Sequence, residues 1–128
     1  MISPVDSLRR TSMTKPQTYS FFMLLKATRP WLDKAPPERF AYVKDIVNPI
    51  LEAHPAVSMR FFDSESYSAK VSDVALWETP DLVAYQQVIR KLRDTLFWNY
   101  YFEVLDIIPA VEEGYAAYYD MAPLTARQ

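Results

Sequence analysis

The chain has 128 residues, 50% of them hydrophobic and 15% aromatic, with one glycine, one histidine, no cysteine and a formal net charge of −2. The lone glycine excludes glycine-rich phosphate loops, the missing cysteines exclude disulfides, thiolate metal sites and cysteine nucleophiles, and the lone histidine leaves no His-pair metal site. Near-balanced charge argues against a nucleic-acid partner, which needs a clustered basic field, and no apolar run approaches the roughly 20 residues of a membrane span.

Residues 1–17 are polar and aperiodic, which predicts a flexible N-terminal arm, with Met13 as an alternative start. Arg9 and Arg10 are followed by no apolar stretch, so a secretory signal is not expected and a cytoplasmic protein is. Tyr19–Ala27 (YSFFMLLKA) is short, apolar and aromatic, as suits a strand buried on both faces. Arg29–Pro37 holds three prolines and reads as a loop. Pro36 and Pro37 suit the first turn of a helix, where a missing N–H costs nothing. Phe40, Val43, Val47, Ile50 and Leu51 then mark one helical face, and Pro49 is expected to kink or end the helix near Asn48.

Ala56–Phe62 alternates well enough for a second strand. The serine-rich link Asp63–Lys70 predicts a hairpin, and Val71–Glu78 (VSDVALWE) a third strand. Thr79-Pro80-Asp81 is a helix start, with an N-cap hydroxyl, a first-turn proline and an acid at the positive end of the dipole. Leu82, Tyr85, Ile89, Leu92 and Leu96 follow at helical spacing, and Phe102–Ile108 supplies a fourth strand closed by Pro109.

This order, β-α-β-β-α-β, is the ferredoxin-like split motif. It predicts an α+β domain over residues 18–110, a four-stranded antiparallel sheet with two helices on one face, followed by a Tyr-rich tail over 111–128. The helices can cover only one sheet face. Strand one nevertheless carries Phe22 and Leu24 on one side and Phe21, Met23 and Leu25 on the other. A homodimer packed sheet against sheet, a dimeric α+β barrel, would cover the second face.

Three stretches also resemble the darcynin family of small bacterial proteins. They are YSFFMLLKATRPWL, VSDVALWETPDLVAYQ and FWNYYFEVLDIIPAVEEGY, within Lys15 to Asp120. The resemblance implies a fold related to the dimeric α+β barrels. It implies no catalytic residues, since the family has no established activity. Wider α+β barrels include cofactor-free monooxygenases, isomerases, cyclases and haem proteins, a likeness of fold that does not fix function.

Strand alternation places candidate residues on the second face. Phe22, Phe62, Trp77 and Phe102 are expected to line a pocket that also holds Arg60, Asp73, Asp106 and Lys26. A hairpin turning near Ser66 and Tyr67 sets Arg60 opposite Asp73, either as a structural ion pair or to orient an anionic substrate. Asp106, buried among aromatics, is the candidate general base, with Arg60 stabilising developing negative charge and Trp77 stacking on the ligand. His54 is read as a helix C-terminal residue interacting with the dipole, with a base or an axial haem ligand as alternatives. The FWNYYF run reads as core or dimer interface, since no Lys or Arg is interleaved with its rings. Gly114 is expected to take positive φ and turn the tail back over the sheet or onto a partner subunit, where Tyr115, Tyr118 or Tyr119 caps the pocket.

The function expected is binding of a hydrophobic or aromatic small molecule by a homodimer, without metal or cofactor. Isomerisation, cyclisation or oxygenation are the candidate chemistries. The competing expectation is a non-enzymatic dimer whose second sheet face is filled by packing alone.

Overall fold

The computed structural model describes residues 17–125. The N-terminal arm expected over residues 1–17, apart from Gln17, lies outside the described residues, as do Met13 and the last three residues of the tail.

Strand β1 (Tyr19–Ala27) leads through a short helix α1 (Arg29–Leu32) to α2 (Pro36–Tyr42), a π-helical turn (Val43–Val47) and α3 (Asn48–Glu52). Strands β2 (Ser58–Asp63) and β3 (Asp73–Thr79), helix α4 (Leu82–Arg93), strand β4 (Phe102–Ala110) and helix α5 (Gly114–Tyr118) follow. All strand pairings are antiparallel, in the order β2-β3-β1-β4. The expected α+β ferredoxin-like architecture is therefore present.

Local chemistry refines several expectations. The stretch expected as loop after β1 contains α1, with Pro30 in its first turn. Pro49 does not end the helix. Its ring would press on the Asp45 carbonyl in a regular α-helix, and it has no N–H to offer. The π turn before it loosens the backbone, so that the Asn48 N–H donates to the Val43 carbonyl five residues back and the helix continues to Glu52.

Helix α4 begins two residues later than the Thr79 hydroxyl suggests. Asp81 is its N-cap, accepting from the Val83 and Ala84 N–H groups at 3.0 and 3.1 Å, while Thr79 Oγ1 accepts from the Asp81 N–H at 3.0 Å. Its buried face runs through Ala84, Val88 and Leu92, flanked by Tyr85 and Ile89. The expected stripe was thus turned slightly too far. Leu82 is half-exposed, and Leu96 lies beyond the helix.

The core lies between the helices and one face of the sheet, where Met23, Leu25, Ala75 and Trp77 meet Val47, Val88 and Leu92. The FWNYYF run closes one end of it. Asn99 takes φ 67°, and its N–H donates to the Phe102 carbonyl at 2.7 Å. This tight turn delivers Phe97, Tyr101 and Phe102 inward. Trp31 packs against the Tyr42, Tyr101 and Phe102 rings at 5.9, 5.4 and 4.9 Å between centroids. Among the described residues, no helix is long and apolar enough to cross a membrane.

Candidate functional site

The register decides which residues share the face that no helix covers. Three rows cross it in the order β2-β3-β1-β4: Ser58–Glu78–Ser20–Ala110, Arg60–Leu76–Phe22–Ile108 and Phe62–Val74–Leu24–Asp106. Phe22, Arg60, Phe62 and Asp106 are therefore on the face expected for them. Trp77 and Phe102 are not. They point into the helix-side core with 1% and 2% exposure, so neither lines a pocket on the open face.

Two physical features cause these differences. The β2–β3 hairpin folds about Ser68, where the Tyr67 and Ser68 N–H groups both donate to the Ser64 carbonyl. That places Arg60 opposite Leu76 and Asp63 opposite Asp73. The slip from the expected register is three positions, an odd number, so it turns β3 over. The expected Arg60–Asp73 pair does not form, and Asp73 is half-buried at the helix-side end of β3. There burial pushes its carboxyl above the ordinary 3.8, opposed by the hydrogen bond from Ser72 and reinforced by the charges of Asp63 and Glu65.

On β4 a bulge intervenes. Leu24 pairs with Asp106 and Leu25 with Val104, leaving Leu105 as the extra residue. Phe102 and Val104 thus face the helices, while Asp106 and Ile108 face the open side. Asp106 is exposed, with its Oδ1 accepting from the Ile107 N–H at 2.8 Å. The burial among aromatics expected for it is absent from the single chain.

Across the first two rows lies a cleft of about 340 Å³, walled by Phe22, Leu76 and Val111 and holding Ser20, Arg60, Glu78 and Glu112. Arg60 Nη2 donates to Glu78 Oε1 at 3.2 Å, and Ser20 Oγ donates to Glu78 Oε2 at 3.5 Å. The Arg60 guanidinium also lies 5.7 Å from the centre of the Phe62 ring. Apolar walls with a few convergent polar groups are the usual form of a small-molecule site, and the volume falls in the usual range of about 300–1,000 Å³. Ser20 stands on the face expected for it, whereas Glu78, Leu76, Val111 and Glu112 were not expected there. The signal of Leu76 and Glu78 was hidden because VSDVALWE is apolar on both parities, so only the register separates its faces, while Val111 and Glu112 lie in the stretch read as tail.

The remaining candidates stand elsewhere. His54 follows the end of α3, as expected, and its Nε2 lies 3.0 Å from Lys91 Nζ. Gly114 does not take positive φ. Glu113 does, at 52°, and Gly114 opens α5. The space there is tight, since a Cβ would lie 3.2 Å from Val111 Cγ1 and that side chain would have to give by a few tenths of an ångström. Tyr115 is 68% exposed and does not line the cleft, so the expected cap is not formed within the chain. The tail is instead pinned by Glu113, whose carboxylate accepts from the Leu124 and Thr125 N–H groups at 2.9 and 3.2 Å.

Fold and site together define a ferredoxin-like α+β domain with one uncovered sheet face and a polar-centred cleft upon it. The chain belongs to the darcynin family: it matches Darcynin, a domain of unknown function, over residues 7–127. It is 41% identical to a darcynin homolog of Granulibacter bethesdensis over 106 residues, covering 82% of this chain and 86% of that protein. With a darcynin homolog of Streptomyces avermitilis it shares 44% over 115 residues, covering 89% and 94%.

Among solved structures it is similar in fold to chlorite dismutases. The enzyme of Candidatus Nitrospira defluvii in complex with imidazole matches with a TM-score of 0.61 at 12% identity, covering 80% of this chain and 43% of that one. The dimeric chlorite dismutase of Nitrobacter winogradskyi matches with a TM-score of 0.59 at 15% identity, covering 84% and 67%. The chain therefore spans less than half the length of the Nitrospira enzyme, and the likeness is one of fold.

Proposed function

We propose that the protein is a homodimer that holds a hydrophobic small molecule between its open sheet face and that of a second copy, with the Arg60–Glu78–Ser20 group contacting the ligand's polar end. The observation that carries this reading is the row Leu76–Phe22–Ile108. A sheet with one solvated face normally alternates apolar and polar residues. Here the middle of the open face is apolar, and Phe22, Phe62 and Ile108 are 36%, 46% and 45% exposed in the single chain. Covering such a face is favourable by roughly 25 cal/mol per Å² of apolar surface removed from water. The dimeric Nitrobacter chlorite dismutase, similar in fold, lends support to a twofold arrangement.

In such a dimer the cleft beside Arg60 is closed by the second sheet. Asp106, on the same face opposite Leu24, becomes the carboxylate that the partner desolvates and the candidate base for proton transfer. The test joins sedimentation velocity with titration of a neutral fluorophore, N-phenylnaphthylamine. The expected result is a dimer with saturable fluorophore binding, both lost in Phe22→Glu. A monomeric wild-type chain overturns the proposal. A dimer that admits no fluorophore favours instead a non-enzymatic protein whose face is filled by packing.

A further inference from the structure

A second site, separate from the open sheet face, lies along the outer flank of α4. It is a groove of about 550 Å³ lined by Tyr85, Gln86, Ile89, Arg90, Arg93 and Asp94. We infer that this groove binds a small organic anion with a flat apolar body, its carboxylate or comparable acidic head held by Arg90 and Arg93.

The groove has an apolar floor and a cationic end. Tyr85 and Ile89 are partly buried against the core, and the Tyr85 ring is fixed by stacking on Phe21 at 3.8 Å with only 7° between the planes. Burial pushes the Tyr85 phenol up from 10 to about 12; like any tyrosine at neutral pH it is protonated and can donate to an acceptor. Arg90 and Arg93 follow, five and eight residues after Tyr85 on the same helix. Among the described residues the ion pairs are Arg29–Asp33 and Arg60–Glu78, so neither Arg90 nor Arg93 forms an ion pair with a described carboxylate. Arg93 is also oriented, with its guanidinium 5.0 Å from the centre of the Trp98 ring.

Two such cations close to the end of α4 do favour its negative dipole end. That role needs neither a stacked guanidinium nor a stacked phenol flanking a groove of ligand size. Two guanidiniums with five donors each suit a planar oxyanion, and the Tyr85–Ile89 floor suits a ring system. Asp94, the C-cap beside Arg93, leaves the lining with a net positive charge and disfavours a second acidic group on the ligand.

Naphthoate and its uncharged counterpart naphthamide, titrated into the full chain and followed by amide chemical shifts, test the inference. Naphthoate is expected to shift the amides of residues 85–94 saturably and to bind at least about tenfold more tightly than naphthamide, weakening as salt is raised. Arg90→Gln with Arg93→Gln should remove that preference while leaving N-phenylnaphthylamine binding at the sheet face unchanged. Both positions are exposed, so folding should survive the change. The wild-type comparison stands even if the variant does not fold. Equal binding of the acid and the amide overturns the inference, as do naphthoate shifts confined to the sheet face or an unaltered preference in a folded variant.

Discussion

Arg60 and Glu78 form an ion pair across β2 and β3 on a diagonal: Arg60 stands opposite Leu76, and reaches one row along the sheet to the Glu78 carboxylate at 3.2 Å. Their side chains are 63% and 31% exposed, so in the single chain the pair should contribute no more than about 1 kcal/mol. Covering the face changes this, because a buried charge left without its partner costs about 3–5 kcal/mol. Glu78→Gln is thus expected to destabilise little under dilute, monomeric conditions and much more at concentrations where the dimer forms. Urea unfolding of Arg60→Met, Glu78→Gln and the double variant at two protein concentrations measures the coupling. A coupling that ignores concentration would place the pair outside any interface.

Asp81 holds two otherwise unpaired N–H groups at the start of α4. Asp81→Ala removes both acceptor bonds and a negative charge from the positive end of the dipole, and should cost roughly 0.5–2 kcal/mol of stability. Asp81→Ser should recover most of the loss, because its hydroxyl can accept from the same donors. Thermal unfolding of the three proteins checks the order.

Among the described residues, the buried Tyr42 hydroxyl has no hydrogen-bond partner, nor has Trp77 Nε1. Leaving a buried donor unpaired costs about 1–3 kcal/mol, while the Tyr42 ring is worth keeping for its edge contacts with Trp31 and Tyr101 at 5.9 and 4.8 Å. Tyr42→Phe is therefore expected to leave stability unchanged or to raise it by about 1 kcal/mol. Denaturant unfolding that showed a loss of that size would mean the hydroxyl has a partner after all.

The strand and helix order was legible because the apolar periods change at clear punctuation: Pro36-Pro37 before one helix, Thr79-Pro80-Asp81 before the other. The faces of β1 and β2 were legible too, since Ser20 and Lys26 bracket Phe22 and Leu24, and Ser58 and Arg60 precede Phe62. Trp77 and Phe102 were misplaced for different reasons. The face of Trp77 depends on where a nine-residue serine-rich link folds, and side-chain hydrogen bonds such as those from the Lys70 and Val71 N–H groups to Ser68 Oγ decide that. Phe102 and Asp106 share parity in sequence, but Leu105 bulges between them, and nothing in the run FEVLDII marks a bulge. The Arg90–Arg93 groove escaped notice because it exists only once α4 is laid beside Phe21 and Trp98.

Two carboxyls should respond to acid with opposite sign. The folded Asp73 carboxyl is held above its ordinary 3.8, chiefly by burial, so the folded state binds that proton more strongly than the unfolded chain. Its ionisation therefore costs stability at neutral pH, and that cost is relieved as pH falls through the raised value toward 3.8. Glu113 is held below its ordinary 4.5, first by the Leu124 N–H, with the Thr125 hydroxyl and N–H adding to it. Its contribution is complete above 4.5 and is lost as pH falls through the lowered value. Asp73→Asn, which keeps an acceptor for Ser72 Oγ, should raise the melting temperature at pH 7 and flatten its response to mild acid. Glu113→Gln should leave the sheet's melting unchanged while speeding hydrogen exchange at the Leu124 and Thr125 amides above pH 4.5. A wild-type tail whose exchange protection at these two amides is the same on both sides of the lowered value would show that Glu113 does not pin it.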